Sequence, residues 1–311
     1  MDAKKLALTT LGRMLQSRGY RFVTVTPATH CRVLDRPEGP TTLESIFGWN
    51  RPFDPDAVDE DIFELLEDAE ALEAVSGRYK SKLRFATIGD LLFAHSGFPT
   101  ADQDAVFFGP DTYRFVRLLR SSLADLAGHG PLKLVDVGSG SGAGGIFAAR
   151  LLGPATRLVL ADSNGEALAL SAVNAMLNDI PSSQTVLSDV LSGVEDTPDV
   201  AIANAPYLID DGTRLYRHGG GALGISLAVR IAEEALARLA PGGRLVLYSG
   251  APIIAARDPF FESLCPLLHR YAREFSYEEI DPDVFGEELD RSAYAEADRI
   301  AVVGLTAIKQ E

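Results

Sequence analysis

The stretch LKLVDVGSGSGAGG, residues 132–145, predicts a strand, a glycine-rich turn and the start of a helix. Its first half is a near-continuous apolar run, which is typical of a strand buried on both faces of a sheet. Gly138, Gly140 and Gly142 let the chain turn tightly and bring backbone N–H groups against a ligand. Gly140, Gly142 and Gly145 also satisfy the dinucleotide pattern G-x-G-x-x-G. The glycines alone therefore leave open a nicotinamide dinucleotide site, another nucleoside site, and a tight crossover without a ligand.

Strands and helices alternate from this stretch onward. Further strand patterns lie at residues 157–162, 184–189, 199–206, 244–250, 274–280 and 299–308, and most have helical patterns between them. Such alternation of helices with Val-, Ile- and Leu-rich strands predicts a parallel sheet that helices cover on both faces. The expected fold class is therefore α/β, with a Rossmann-like, doubly wound, seven-stranded and mostly parallel sheet, a smaller N-terminal domain and a linking β-hairpin.

The sequence divides into three predicted parts. Residues 1–80 are expected to form an N-terminal, partly helical domain that docks substrate, 81–109 a β-hairpin linker, and 110–311 the α/β domain. In the linker, residues 82–98 give two short strand patterns around a Gly-Asp turn. A helix is expected from about 110 to 126, because proline suits the first helical turn.

The N-terminal part carries its own patterns. Apolar residues between Leu6 and Leu15 indicate a helix, and RFVTVT, residues 21–26, alternates like a strand. Residues 54–73 hold ten acids and no base, with apolar side chains at helical spacing. An acidic amphipathic helix with a solvated outer face is the simpler interpretation, and a dedicated partner-docking surface is the alternative.

Composition excludes several classes of protein. The chain has 311 residues, of which 46% are hydrophobic, and this excludes a disordered chain. No apolar run approaches the roughly 18 residues of a membrane span, and the first residues lack the apolar core of a signal peptide. Two distant cysteines match no metal spacing, so we expect no metal and a reducing, cytoplasmic location. The net charge of −15 disfavours loose binding to bare nucleic acid.

Three aspartates follow three consecutive strand patterns. Asp136 lies two residues before the first glycine, Asp162 closes the second strand, and Asp189 ends the third. One such aspartate is commonly just a helix cap, but the carboxyl ends of parallel strands meet at one edge of a sheet. Asp136 suits an ammonium group, Asp162 the ribose hydroxyls, and Asp189 an adenine amine. The ligand that fits is S-adenosylmethionine, which has no phosphate and whose demethylated product is S-adenosylhomocysteine.

The tetrapeptide Asn204-Ala205-Pro206-Tyr207 follows the fourth strand pattern at the same edge. The first and fourth strands should diverge there, at a topological switch point where ligands bind. A nitrogen conjugated to a carbonyl or a ring is a poor nucleophile, and the Asn204 side chain and the Ala205 carbonyl can accept hydrogen bonds from its N–H groups. Tyr207 can offer a planar face, and Pro206 stiffens the turn. The alternative is a plain exit from strand to loop.

These motifs resemble those of the class I S-adenosylmethionine-dependent methyltransferases, and among them the HemK-like, or PrmC-like, glutamine N5-methyltransferases. That family carries Asn-Pro-Pro-Tyr where this chain has residues 204–207, and its first-strand motif is similar to residues 134–142. The resemblance extends from about residue 82 onward and implies that residues 110–311 form a methyltransferase domain. Further segments that resemble the family are Pro110-Asp111-Thr112, Asn174 and residues 219–250.

The sequence departs from the family in three places. Ala205 replaces the first proline of the tetrapeptide, which keeps the backbone acceptor but loosens the turn. Gly109 stands before Pro110 where the family has an arginine, and residues 1–80 do not match the family's helical substrate-binding domain. The acceptor therefore need not be a release factor.

The leading hypothesis is methylation of a planar nitrogen, most of all a protein glutamine side chain. The alternative is a base N-methyltransferase acting on guanine N2 or adenine N6 of rRNA, tRNA or DNA, with the flipped base stacked on Tyr207. Net charge disfavours a nucleic-acid partner, and a membrane partner is not expected. A NAD-dependent oxidoreductase and a non-catalytic cofactor-binding protein are the remaining hypotheses. The basic residues that favour nucleic acid are Arg78, Lys80, Lys82, Arg84, Arg114, Arg117 and Arg120.

Two sets of site residues follow. Those predicted to act on the methyl acceptor are Asn204, Ala205, Pro206 and Tyr207. Those predicted to bind S-adenosylmethionine are Asp136, Gly138, Gly140, Gly142, Asp162, Asp189 and Asn204, together with Thr112, which the resemblance adds.

Overall fold

The N-terminal part contains three helices and a short hairpin. The computed structural model describes residues 2–212 and 214–311 of the chain. The elements are α1 (Ala3–Ser17), α2 (Pro27–Leu34), α3 (Glu60–Asp68), β1 (Leu72–Val75) and β2 (Arg78–Ser81). Asp2 caps α1 by accepting a hydrogen bond from the Lys4 amide, and Thr26 caps α2 in the same way from Thr29.

Two N-terminal predictions are wrong in detail. Residues 21–26 are extended but form no strand: Phe22 bonds to Thr87 of the next hairpin, and Thr26 already begins the cap of α2. The alternation reflects burial instead, since Phe22 and Thr24 are buried while Val23 is 63% exposed. In the acidic run, α3 ends at Asp68 because Glu70 takes a positive φ of 53°, and Leu72 starts a strand.

The predicted hairpin and the helix after it are confirmed. β3 (Leu83–Ile88) pairs antiparallel with β4 (Leu91–Ser96) around Gly89, which takes φ 62°. α4 (Pro110–Leu123) follows and begins with proline.

Seven strands form one sheet, as predicted. They are β5 (Lys133–Val137), β6 (Arg157–Asp162), β7 (Ser183–Leu187), β8 (Val200–Asn204), β9 (Arg244–Ile253), β10 (Ala272–Asp281) and β11 (Arg299–Lys309). Their order is β10-β11-β9-β8-β5-β6-β7, and β11 runs antiparallel to both of its neighbours. The chain leaves β5 toward β6 and later returns to β8 on its other side, so the predicted switch point lies between the ends of β5 and β8.

Helices cover both faces of this sheet. The remaining ones are α5 (Ala143–Leu152), α6 (Gly165–Leu177), α7 (Ser226–Arg238) and α8 (Pro259–Tyr271). Successive residues of β5 point to opposite faces: Leu134 packs with α4 and α5, and Val135 with α7 and α8. Short 3-10 helices lie at Pro55–Ala57, Ala124–Leu126, Gly286–Asp290 and Ser292–Tyr294, and a π-helical turn at Glu44–Gly48. Among the described residues, no helix is long and apolar enough to cross a membrane.

One apolar core joins the N-terminal part to α6. Leu8 and Leu11 of α1 pack in the same cluster as Val173 and Leu177 of α6. The division of the chain at residues 80 and 110 therefore stays a prediction, since the parts share buried surface.

Asn174 of α6 and Asn178, which caps the end of α6, bind the edge of β4. Asn174 exchanges hydrogen bonds with the backbone of Ala94, at 2.8 and 2.9 Å, and donates another to the Ser141 carbonyl at 2.8 Å. Asn178 exchanges bonds with the backbone of Leu92 at 3.0 and 2.8 Å. The side chain of Asn174 thus connects the hairpin to the glycine-rich turn.

Candidate functional site

A cavity of about 800 Å³ opens at the carboxyl ends of β5, β6 and β8. Arg84 of the hairpin and residues 24–28 and 30 also line it. Gly142 is the one predicted site residue that does not line it, because it sits behind the turn at the start of α5. The predicted site residues that line the cavity are Thr112, Asp136, Gly138, Gly140, Asp162, Asp189, Asn204, Ala205, Pro206 and Tyr207.

Three glycines of the turn after β5 have positive φ, and two of them line the cavity. Gly138 and Gly140 have φ of 68° and 53°, in the left-handed region that side chains disfavour. A Cβ atom added at either position would meet no atom within 4 Å, so this face of the turn is open. The buried hydroxyl of Ser139, between them, has no hydrogen-bond partner among the described residues. The turn therefore offers backbone and a free hydroxyl to a ligand.

Asp162 holds this turn in place. One of its carboxylate oxygens accepts the Gly140 N–H at 2.8 Å and the other accepts the Asn164 N–H at 2.9 Å. Burial raises the pKa of Asp162, although the backbone hydrogen bonds oppose the shift. Each oxygen keeps a second lone pair, so the predicted contact with ribose hydroxyls is compatible with the structural role.

Asp136 lies buried below the turn. Its carboxylate accepts the Gly145 N–H at 2.8 Å. The residue as a whole is 2% exposed. Burial raises the pKa of Asp136 to about 7, and the negative charge of Asp162 contributes. A cationic ligand placed here would favour the ionised carboxylate.

Asp189 and Thr112 occupy less direct positions. The third strand ends at Leu187, so Asp189 lies two residues beyond it, with its side chain 73% exposed and ion-paired with Arg230. Thr112 is buried and accepts the Gly109 N–H at 3.4 Å, capping α4. Their predicted contacts with the cofactor stay predictions.

Asn204 is the last residue of β8 and faces the cavity. Its backbone pairs in parallel with Tyr248 of β9, and the next amide, that of Ala205, donates to the Tyr248 carbonyl at 3.1 Å. No hydrogen bond from another described residue reaches the Asn204 side chain. The sheet thus fixes the backbone on both sides of a free carboxamide.

Tyr207 is held by a carboxylate that the sequence-based reasoning did not include in the site. The Tyr207 hydroxyl donates to Asp111 at 2.7 Å, and the Tyr248 hydroxyl donates to the other oxygen of Asp111 at 2.8 Å. Arg114 adds an ion pair at 3.1 Å. Burial and the charge of Asp111 raise the pKa of Tyr207 well above its ordinary value, so its phenol stays protonated. Most of the Tyr207 ring is buried, and its face lies against Gly250.

Aromatic contacts bring a loop after β8 over the cavity. The rings of Tyr216 and Phe107 stack with centroids 5.2 Å apart, and the Tyr216 hydroxyl donates to the Thr100 carbonyl at 2.9 Å. The Leu215 amide also donates to the Gln103 carbonyl at 3.1 Å. These contacts connect the loop after the tetrapeptide to the segment between the hairpin and α4.

The cavity lining contributed by the hairpin includes a buried arginine. Arg84 of β3 is 3% exposed, and its guanidinium lies 5.8 Å from the centre of the Phe98 ring. His30 stacks on the same ring at 4.1 Å. In the sequence, Arg84 interrupts an apolar strand pattern, which can indicate a buried functional arginine. The sequence-based prediction counts it only among the basic residues that favour nucleic acid. Within the ranges 2–212 and 214–311, no cluster of three or more His, Cys, Asp or Glu residues could hold a metal ion.

Comparison with known proteins identifies the central region. Residues 116–253 match the family described as the methyltransferase small domain. The chain is 30% identical over 132 residues to a release factor glutamine methyltransferase of Lactococcus lactis, covering 38% of this chain and 47% of the relative. It is also 30% identical over 140 residues to ribosomal RNA small subunit methyltransferase C of Chromohalobacter salexigens, covering 45% and 37%. The chain thus spans about half or less of these relatives.

The fold has solved counterparts. Trm5b from Pyrococcus abyssi aligns with a TM-score of 0.51 at 14% identity, covering 81% of this chain and 68% of that one. The predicted resemblance to class I S-adenosylmethionine-dependent methyltransferases is confirmed, and S-adenosylmethionine is the cofactor of that family.

Proposed function

We propose that this chain, which contains a methyltransferase small domain, transfers the methyl group of S-adenosylmethionine to a planar amide or amino nitrogen, most of all that of a protein glutamine side chain. The position of Asn204 carries the proposal. It lies at the end of β8, at the switch point beside the glycine-rich turn, and lines the same cavity. Its carboxamide and the Ala205 carbonyl accept no hydrogen bond from another described residue, so both are available to an acceptor nitrogen.

The residues around the turn fit the cofactor. The open faces of Gly138 and Gly140 and the unpartnered Ser139 hydroxyl leave room and polar contacts for it. The buried Asp136 carboxylate suits a positively charged ligand. When bound, S-adenosylmethionine supplies a methyl group activated by its sulfonium.

Asn204 and Ala205 would act on the attacking nitrogen. In the transfer that bound S-adenosylmethionine would supply, the nitrogen would form a bond to the methyl carbon while the carbon–sulfur bond breaks and its electron pair stays on sulfur. The nitrogen becomes positive, so its N–H groups become stronger donors to the two oxygens. Hydrogen bonds that strengthen on the way to the transition state lower the barrier. The proton then leaves the methylated nitrogen for solvent.

The second candidate is N-methylation of a nucleic-acid base. The similarity to a ribosomal RNA methyltransferase over 140 residues favours it as much as the other relative favours glutamine. The net charge of −15 disfavours it, because phosphate contacts need clustered cations.

Residues 1–80 complete the proposal as the part that selects the acceptor. Residues 24–28 and 30, which belong to this part, line the same cavity as the glycine-rich turn. A cytoplasmic location is part of the same proposal and agrees with the free thiols of Cys31 and Cys265.

Labelling of a cell lysate tests the proposal. The full-length chain, S-adenosylmethionine labelled in its methyl group and lysate are incubated together, and the product is divided between protease and nuclease. We expect protease-sensitive label that yields N5-methylglutamine on hydrolysis, and none with Asn204→Ala. Nuclease-sensitive label would favour the second candidate. Absence of any Asn204-dependent label would reject methyl transfer.

A further inference from the structure

Arg84 is a buried positive charge without a carboxylate partner. Its Nε donates to the Ser96 carbonyl at 3.2 Å. Among the described residues, no Asp or Glu oxygen lies within 4.0 Å of its guanidinium, and its two terminal nitrogens donate no hydrogen bond. Burying an unpaired charge is unfavourable, and folded proteins normally pair it. The missing partner is therefore expected to come from outside the chain.

The guanidinium is charged under ordinary conditions and lines the cavity. Burial lowers the pKa of Arg84 to about 10, which still leaves it protonated at neutral pH. It borders the same cavity as Asn204 and the glycine-rich turn. A ligand in this cavity can therefore reach it.

Two further unpartnered groups lie on the same wall. The His30 Nε2 is 2.9 Å from the Trp49 carbonyl and donates to it, which leaves Nδ1 as a buried acceptor without a partner. Burial and the charge of Arg84 lower the pKa of His30 to about 4, so the ring is neutral. The buried Thr24 hydroxyl also lacks a partner among the described residues. Arg84, His30 and Thr24 all line the cavity.

The other arginines of the cavity lining, Arg114, Arg214 and Arg217, are ion-paired with carboxylates of the chain. The carboxylates of Asp136 and Asp162 lie at the glycine-rich turn, on the side proposed for the cationic cofactor. Arg84 lies on the wall of the hairpin, where no cofactor group is proposed. The acceptor is the remaining ligand of the cavity that Arg84 and Asn204 both line.

We propose that the methyl acceptor carries an anionic group, a carboxylate or a phosphate, and that Arg84 binds this group inside the cavity. The inference rests on the proposed function and deepens it by defining the acceptor. Because Arg84 is 97% buried, the anion must enter the cavity on the same moiety as the nitrogen. A guanidinium binds both anions through paired N–H donors. A carboxylate would come from a free or C-terminal glutamine, because a glutamine inside a polypeptide has no α-carboxylate, and a phosphate would come from a nucleotide.

Binding to the full-length chain tests this without methyl transfer. Three probes are titrated by calorimetry in the presence of S-adenosylhomocysteine: inorganic phosphate, N-acetylglutamine, and the neutral methylamide of N-acetylglutamine. We expect one of the two anions to bind, and the neutral probe to bind at least about 10-fold more weakly, as the loss of a charge-assisted hydrogen bond implies. Preference for phosphate assigns a nucleotide, and preference for N-acetylglutamine assigns a free or C-terminal glutamine.

Substitutions identify the binding group. Arg84→Gln should weaken binding of the anion by about 10-fold or more, since it removes the charged donor. Arg117→Gln removes the same charge from the exposed face of α4 and should leave binding unchanged. Equal anion binding by wild type and Arg84→Gln, or no binding of either anion to wild type, overturns the proposal. These binding measurements do not depend on turnover. If methyl transfer is not found, the anion site can therefore still be confirmed or rejected separately.

Stability of the ligand-free chain gives a second measurement. Arg84→Met replaces an unpaired buried charge with an apolar side chain of similar length, so we expect a higher melting temperature without ligand. A lower melting temperature would show that the fold itself satisfies the guanidinium, and it would reject a site kept for an external anion.

Discussion

Asp111 accepts hydrogen bonds from two buried phenols, so its removal should have a large effect on stability. Asp111→Ala leaves the hydroxyls of Tyr207 and Tyr248 without an acceptor, in residues that are 6% and 0% exposed. Each buried donor left unpaired costs about 1–3 kcal/mol, and two cost roughly 2–6 kcal/mol. At about 2 °C per kcal/mol, as for long chains, the melting temperature should fall by roughly 4–12 °C.

A matched variant separates unpaired donors from a simple loss of packing. Asp111→Ala combined with Tyr207→Phe and Tyr248→Phe removes both donors together with their acceptor, which is often close to neutral. Arg114 keeps its second ion pair, with Asp281 at 2.9 Å. The triple variant should therefore recover most of the lost melting temperature, measured by circular dichroism and by urea unfolding. If it is no more stable than Asp111→Ala alone, the explanation by unpaired phenols is wrong.

Three further predictions concern the cofactor side and the acceptor nitrogen. Asn204→Ala should lower kcat about 10²–10³-fold on the identified acceptor, with cofactor affinity by calorimetry nearly unchanged, and a wild-type kcat would exclude its proposed role. Asp162→Ala should lower both the affinity for S-adenosylhomocysteine and the melting temperature, because Asp162 holds the Gly140 amide; an unchanged melting temperature would contradict this. Affinity for S-adenosylmethionine should increase as the pH rises to about 7, where Asp136 ionises, while the stability of the ligand-free chain decreases from about pH 4. Asp136→Asn should reduce both trends, with a remainder from Asp162, whose pKa burial also raises, and trends of unchanged size would assign them to other groups.

The α/β sheet could be predicted because its signal is local. The strands β5, β6, β8 and β9 each contain an apolar run, and the carboxyl ends of parallel strands meet at one edge whatever the details of packing. That rule alone placed the glycine-rich turn and Asn204 in one cavity. Residues 21–26 show the opposite case, since their alternation predicts burial correctly but cannot show whether a partner strand is within reach.

The polar network of the site could not be predicted, because it joins distant positions. Tyr207 bonds to a carboxylate 96 residues away, and Tyr248 to the same carboxylate across 137 residues. No spacing rule connects such residues. The missing counter-ion of Arg84 is likewise a property of the folded wall, since the sequence shows an arginine in a strand but not which charges surround it.

The bridge formed by Asn174 has a consequence for the order and strength of binding. It joins the Ser141 carbonyl in the glycine-rich turn to Ala94, whose neighbour His95 lies across the hairpin from Arg84. A ligand that orders the turn should therefore also order the hairpin, and the second ligand then loses less conformational freedom on binding. Thermodynamic linkage requires the effect to be mutual. The factor by which the bound cofactor raises the affinity for the anion equals the factor by which the bound anion raises the affinity for the cofactor. A single amide on α6 would then make the two halves of the cavity bind cooperatively without any visible movement.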